Sequence, residues 1–384
     1  MEWKSMLDQV VKSSKWRNRL VKTGLLIGSI ACASVSLCGC QEHAERAPAW
    51  SPDGQRIAFE CYQDIAFEEL SDMAWEICTV SVDGSDYLRL TDNDCRDRDP
   101  AWSPDGERIV FSRWDGVFIM DKDGTNLTRL TERTGSPHNW SPDGQFVAYG
   151  DDAMEYIYIE AVDGSSEIRL TYGDNPVWSL DGQHIAFVSW GRDGNAEIYV
   201  IDPDGSNKTR LTYDEEASNG APAWSPDGKR IAFETKRFPP SFPIVGRRAV
   251  EVMNSDGSGR RQIAPGESDT FDEAAAPAWS PDGLHIAFVG YSTIKVYDGD
   301  STGPLHLHSS EIYLVKSDGT DLVQLTRTAE KVKATRRPIE VCCPQWSPDG
   351  QRLAFLEGST SFNAPLRLWI VNSDGSNLVK LIPD

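Results

Sequence analysis

The chain has 384 residues, a formal charge of −21 and a hydrophobic fraction of 39%. It is long enough for more than one average domain, too polar for a single thick core, and too acidic to settle against a phosphate backbone, so nucleic acid is excluded as a partner. Its 31 glycines and 22 prolines are scattered along the whole length, which points to many turns and not to one disordered tail.

The first 39 residues carry Lys4, Lys12, Lys15, Arg17, Arg19 and Lys22 against Glu2 and Asp8, a net +4, and then an apolar run of 13 residues from Leu25 to Leu37. A basic start, a short apolar stretch and small residues behind it form the pattern of an export signal. The run is short for a membrane span, which needs about 20 apolar residues. The string Leu37-Cys38-Gly39-Cys40 resembles the lipobox of bacterial lipoproteins, with Cys38 where that pattern has alanine or serine. The resemblance implies a lipoprotein-type signal peptide over residues 1–39, lipidation at Cys40 and attachment to a membrane through that lipid. An ordinary cleaved signal and an uncleaved anchor are the alternatives. Residues 40–47 read as a short linker, and the chain beyond the leader carries the remaining −25.

From residue 48 one string recurs. Trp50, Trp102, Trp140, Trp178, Trp224, Trp279 and Trp346 are each followed by Ser-Pro-Asp-Gly, except that the fourth copy reads Ser179-Leu180-Asp181-Gly182. A short apolar run follows each, such as Ile57-Ala58-Phe59 or Ile231-Ala232-Phe233. A second Asp-Gly comes later in every copy, at Asp83, Asp123, Asp163, Asp204, Asp256, Asp318 and Asp374, and the unit closes on Leu-Thr or a variant. In the first turn proline presets φ, aspartate bonds nearby amides and glycine takes the left-handed conformation. The second Asp-Gly is a hairpin signal on the same grounds. Each unit is therefore four short antiparallel strands, and such units at roughly 40 residues mean a β-propeller. The fold class is all-β, a seven-bladed β-propeller of four-stranded antiparallel blades over residues 48–384. These repeats resemble the β-propeller repeats of TolB, although TolB has six blades and a preceding α/β domain. Each blade is expected to be one continuous segment, with the ring closed by packing of blade seven on blade one.

The copies differ in length. From Trp to the second Asp the spacings are 33, 21, 23, 26, 32, 39 and 28 residues, and from that Asp to the next Trp they are 19, 17, 15, 20, 23 and 28. Antiparallel geometry sends the two tight turns to one face of the disc and both variable connections to the other. The added length thus gathers on one face, over blades five, six, seven and one, and long loops on a rigid scaffold commonly carry binding. Blade one contributes an acidic loop, with Glu60, Asp64, Glu68, Glu69, Asp72 and Glu76. Blade five contributes Lys236, Arg237, Phe238, Phe242, Arg247 and Arg248, and the link from blade six to seven holds Arg327, Lys331, Lys333, Arg336 and Arg337. The binding residues expected are Lys236, Arg237, Phe238, Phe242, Arg247, Arg248, Arg336 and Arg337, facing an anionic ligand or an acidic protein surface. Local neutralisation, for instance by Glu267, Asp269, Asp272 and Glu273, is the competing reading.

Cys61 and Cys78 fall on neighbouring antiparallel strands, where a disulfide would brace the acidic loop. Cys342 and Cys343 could bridge each other, pair with Cys95, or stay reduced. No catalytic constellation stands out: the chain has no Gly-x-Ser-x-Gly elbow, phosphate loop or zinc motif. No cofactor or metal is expected. His138, His306 and His308 could hold a metal only if they or a carboxylate converged. The reading is a lipid-anchored envelope propeller that binds an envelope protein without catalysis, its loop-rich face supplying the contact, as the resemblance to TolB implies. The alternative is a carbohydrate-active, polyuronate lyase-like propeller that holds an anionic glycan with a metal at the channel mouth.

Overall fold

The structure is a computed structural model that describes residues 47–62, 75–151, 153, 155–191, 194–238, 247–266, 271–296, 305–358 and 367–382. Cys40 and the leader, Phe242, and the loop 63–74 lie outside the described residues.

Seven four-stranded antiparallel sheets are present, each in simple sequential order. Blade one is β1 (Ala49–Trp50), β2 (Arg56–Tyr62), β3 (Trp75–Ser81) and β4 (Leu88–Arg89); blade two is β5 (Arg98–Trp102), β6 (Arg108–Arg113), β7 (Gly116–Asp121) and β8 (Thr128–Thr131). Blade three is β9 (Gly135–Trp140), β10 (Phe146–Asp151), β11 (Tyr156–Ala161) and β12 (Glu167–Tyr172); blade four is β13 (Asp174–Trp178), β14 (Ile185–Trp190), β15 (Ala196–Ile201) and β16 (Thr209–Arg210). Blade five is β17 (Ala217–Trp224), β18 (Arg230–Arg237), β19 (Arg247–Asn254) and β20 (Arg261–Ala264); blade six is β21 (Glu273–Trp279), β22 (His285–Val296), β23 (Leu305–Lys316) and β24 (Val323–Gln324). Blade seven is β25 (Glu340–Trp346), β26 (Arg352–Gly358), β27 (Arg367–Asn372) and β28 (Val379–Lys380), and a helix, α1 (Thr328–Thr335), lies in the link before it. The ring closes without strand exchange. Blade one meets blade seven through Trp50, Ile57, Phe59 and Val80 against Ala354, Leu356, Leu368 and Ile370.

The Ser-Pro-Asp-Gly string makes its turn with side chains as well as backbone. Ser51 Oγ donates to Asp53 Oδ1 at 2.6 Å and accepts the Arg56 N–H at 2.9 Å. Asp53 Oδ1 also accepts the Gln55 N–H at 3.0 Å, and the Ser51 hydrogen bond leads in holding that carboxyl below its usual range. The string does a second job between blades. A Cβ placed on Gly54 would sit 3.5 Å from Pro348 of the preceding blade, and one on Gly106 would sit 3.4 Å from Pro52. Proline and glycine of neighbouring turns thus pack together around the axis. Blade four breaks the chain of contacts: Leu180 is exposed, and the turn glycine that follows, Gly228, has only Asp181 beside it.

The tryptophans work in the same direction. Trp140, Trp224, Trp279 and Trp346 each donate their indole N–H at 3.1 Å to a carbonyl of the preceding blade, at Ala101, Val177, Ala223 and Ala278. Middle strands are buried on both faces because each sheet lies between two others; in β14 every residue but Trp190 is buried. Near the axis, Trp50, Trp102, Trp140 and Trp346 help to line a cavity of about 370 Å³.

Candidate functional site

The second strand of every blade runs to the same face, so the ends of β2, β18, β22 and β26 open together with the links between blades. On this face the Leu-Thr ending acquires its role. In blades one, four and six a buried glutamate on the third strand binds the threonine and the link after it. Glu76 accepts from Thr91 Oγ1 at 2.5 Å and from the Asn93 N–H at 2.8 Å, and pairs with Arg89 at 3.3 Å. Glu197 accepts from Thr212 Oγ1, from the Asp214 N–H at 2.8 Å and from Asn219 at 2.9 Å, and pairs with Arg210 at 2.7 Å. Glu311 accepts from Thr326 Oγ1 at 2.6 Å and from the Ala329 N–H at 2.8 Å, which anchors the first turn of α1. A buried carboxylate is costly unless it is surrounded by donors, and these three are.

Blade six carries the tallest hairpin. β22 and β23 pair without a break from His285↔Lys316 to Val296↔Leu305. Beyond the blade body one side of this hairpin is apolar: Ile294 and Leu307 bury Val332 of α1 between them. Arg336, at φ 55°, ends α1 in the left-handed conformation, its N–H bonded to the Val332 carbonyl at 2.8 Å. Helix and hairpin therefore form one braced unit. Thr293, Lys295, His306 and His308 are exposed; Thr293 pairs in register with His308, and Lys295 with His306.

The expected binding residues separate into two groups. Arg237 bonds to Glu251 and reaches Gln262 at 3.1 Å, while the buried Arg248 lies 3.5 Å from Glu234 and over the Tyr291 ring at 5.8 Å. Lys236 sits 5.8 Å from the Phe238 ring. The blade-five bases are thus matched largely by Glu234 and Glu251 of their own hairpin; Glu267 and Asp269 lie outside the described residues. Burial pushes the Glu234 and Glu273 carboxyls up, and Arg248 opposes both shifts. Arg247, Arg336 and Arg337 are exposed, as are Arg327 and Lys333. Lys331 pairs with Glu357 at 2.7 Å and lies over the Trp369 ring at 4.7 Å.

His138 is on β9, with its side chain outside the described residues. Among the described residues no three His, Cys, Asp or Glu side chains gather as a metal site. Cys61 and Cys78 are joined by a disulfide with 5.7 Å between their Cα atoms. Cys342 and Cys343 are buried in the same apolar seam between blades seven and one. Cys343 shares with Asp99, Asn175, Ala221 and Ala276 a φ of 48–58° three residues before the blade tryptophan. Blade one braces the next blade at that bulge, where the Asp99 N–H donates to Glu60 at 3.1 Å.

Loop length alone did not single out one set of residues. Over the short-loop blades two, three and four, Trp114 (69% exposed), Tyr172 (45%) and Tyr213 (70%) stand on the same face. The Tyr172 ring is flanked by those of Tyr156 at 5.9 Å and Trp190 at 6.2 Å, and Arg210 lies 4.7 Å from the Tyr213 ring. The signal for the two tyrosines in the sequence is the extension of Leu-Thr to Leu-Thr-Tyr at 170–172 and 211–213.

A disc of seven four-stranded blades, with its elaborated connections on one face, defines a β-propeller of the repeat-built class. The family described as the TolB beta propeller domain matches residues 20–171 and 115–241, more than half of the chain, and this protein belongs to that family. An uncharacterized protein of Agrobacterium fabrum is 28% identical over 267 residues, which span 65% of this chain and 85% of that one. Among solved structures, a puromycin-hydrolyzing peptidase of Mycobacterium tuberculosis superposes with a TM-score of 0.62 at 15% identity, covering 88% of this chain and 54% of the peptidase. An oligogalacturonate lyase in complex with manganese superposes with a TM-score of 0.57 at 14% identity, covering 88% of this chain and 89% of the lyase. At such identities the two enzymes share the fold alone with this chain.

Proposed function

We propose that this protein is an exported, lipid-anchored envelope propeller that binds a protein partner without catalysis, using the loop face of blades five to seven. The braced α1–hairpin unit carries this reading. It presents Arg327, Lys333, Arg336 and Arg337 to solvent on a chain of strong negative charge, on a support fixed by Val332 and Glu311. A rigid cationic platform suits an acidic protein surface, because little side-chain or backbone order is lost on docking. The leader and Cys40 support export and lipid attachment. The test is crosslinked capture from the native envelope with the triple charge reversal K333E/R336E/R337E beside the parent chain. Loss of one specific partner in the variant supports the platform; equal capture by both chains refutes it.

A second reading is favoured by Trp114, Tyr172 and Tyr213. Exposed rings set among polar groups suit the apolar faces of sugar rings, and nearby arginines suit an anionic glycan. Release of unsaturated product from oligogalacturonate, with manganese required, would establish this alternative in its lyase form.

A further inference from the structure

Seven blades provide seven versions of each core position, and blade three departs at two adjoining ones. Three residues before the second-turn aspartate the other blades have Val80, Met120, Ile201, Met253, Val315 and Val371; blade three has Glu160. Where the other blades have phenylalanine on the second strand, blade three has Tyr149. Both substitutions put a polar group into the core: Glu160 is 5% exposed and Tyr149 is fully buried.

The two side chains lie in the joint between blades two and three, where Tyr149 and Tyr158 pack on Val110, Val117 and Ile119. Glu160 is register partner to Glu167 on β12, so the two carboxyls stand side by side on neighbouring strands. Two like charges directly opposite each other repel, so one of the pair is better accommodated with a proton. Arg133, on the link leaving blade two, stands 3.0 Å from both Glu167 oxygens as an ion pair and 4.4 Å from the Tyr158 ring. Burial pushes the Tyr149 phenol up, so it stays neutral and adds no charge to the joint. The proton therefore belongs on Glu160: Glu167 has the Arg133 ion pair, whereas Glu160 Oε2 is buried with no hydrogen-bond partner, on the strand face that Tyr158 packs against Val110, Val117 and Ile119.

We propose that Glu160 makes the joint between blades two and three a proton-responsive latch: closed while its carboxyl is neutral, loosened when the proton leaves. The charged groups around it are Glu167 and Arg133, with the phenols of Tyr149 and Tyr158 beside them. Burial, and then the Glu167 charge, push Glu160 up to about 7, against the pull of Arg133. A folded-state pKa raised above the ordinary carboxylate value means that the closed form binds the proton more tightly than the open one. The stabilisation is complete below the ordinary carboxylate range and is lost as pH rises through about 7.

Hydrogen exchange of the full chain at pH 6 and 8.5, corrected for intrinsic rates, tests the latch. Protection of β8, β11 and β12 falls about tenfold relative to β22 and β23 in the parent, the change expected because pH 6 lies one unit below the folded-state value of about 7 and pH 8.5 lies above it. Glu160→Gln and Glu160→Met, the latter giving the residue type of blades two and five, abolish that pH dependence. A protonated-carboxyl infrared band present at pH 6, lost at 8.5 and absent from either variant, assigns the proton even if one variant folds poorly. Equal relative protection at both pH values in the parent, or an unchanged pH profile in both variants, overturns the proposal.

Discussion

Trp50 of blade one donates its indole N–H to the carbonyl of Gln345 in blade seven at 3.0 Å, across 295 residues of chain. The same bond joins four other neighbouring pairs of blades, so the closure is one more copy of the contact that builds the ring.

Trp50→Phe removes that bond and leaves the carbonyl of the half-buried Gln345 without this donor. The Trp102 indole N–H is buried without a hydrogen-bond partner, so Trp102→Phe loses ring volume but no hydrogen bond. Trp50→Phe is expected to cost about 0.5–1.5 kcal/mol more than Trp102→Phe, the usual net contribution of one hydrogen bond. Denaturant unfolding of the two variants side by side measures the difference.

Leu180 stands alone among seven turns in the place of proline. The turn around it is otherwise regular, with Ser179 Oγ 2.6 Å from Asp181 Oδ1 and the Gly182 N–H 2.9 Å from the Ser179 carbonyl. Leu180→Pro is expected to stabilise the protein by about 0.4–1 kcal/mol, by restricting the unfolded chain and restoring the contact with the next turn. A rise in Tm confirms this; a fall means that the backbone there is incompatible with proline.

The turn aspartates set the acid limit of the fold. Serine or threonine hydrogen bonds, with adjacent backbone N–H groups, hold Asp53, Asp105, Asp123, Asp181 and Asp349 below the ordinary aspartate value of 3.8. A folded pKa below the unfolded one contributes stability above the unfolded value, and that stability is lost as pH falls through the folded one. Stability is therefore expected to fall steeply below 3.8, with a shallower slope in Asp105→Asn, as read from thermal unfolding across that range.

Glu311→Ala removes the acceptor for Thr326 and for the first turn of α1. Leaving the buried Thr326 hydroxyl and the half-buried Ala329 N–H unpaired is expected to cost about 2–3 kcal/mol, with α1 losing hydrogen-exchange protection first. Val332→Asp puts a charge between Ile294 and Leu307 and is expected to free α1 while the seven blades stay folded. Near-native circular dichroism together with lost partner capture is the outcome that ties α1 to binding.

Much of this architecture was legible along the chain because its causes are local. Ser-Pro-Asp-Gly closes its turn within six residues, and so does Asp-Gly-Ser. Seven copies at a regular period leave few alternatives to a ring of sheets. The position of the long connections on one face also followed, since antiparallel strands alternate direction. The state of the basic residues did not follow. Arg237 and Arg248 read as available cations until their own hairpin brought Glu251 and Glu234 beside them. Leu-Thr read as the end of a strand, although its threonine serves a buried glutamate 15 residues earlier in blades one, four and six.

The sequence by itself determined the number of blades, the chemistry of every tight turn and which face is elaborated, because each depends on neighbours a few residues apart or on a simple period. Only the tertiary structure decided which charges are neutralised, how α1 locks onto the blade-six hairpin, and that Glu160 lies buried against Glu167. Those outcomes depend on which strand faces which across a blade or between blades, and burial and charge act through space without regard to distance along the chain.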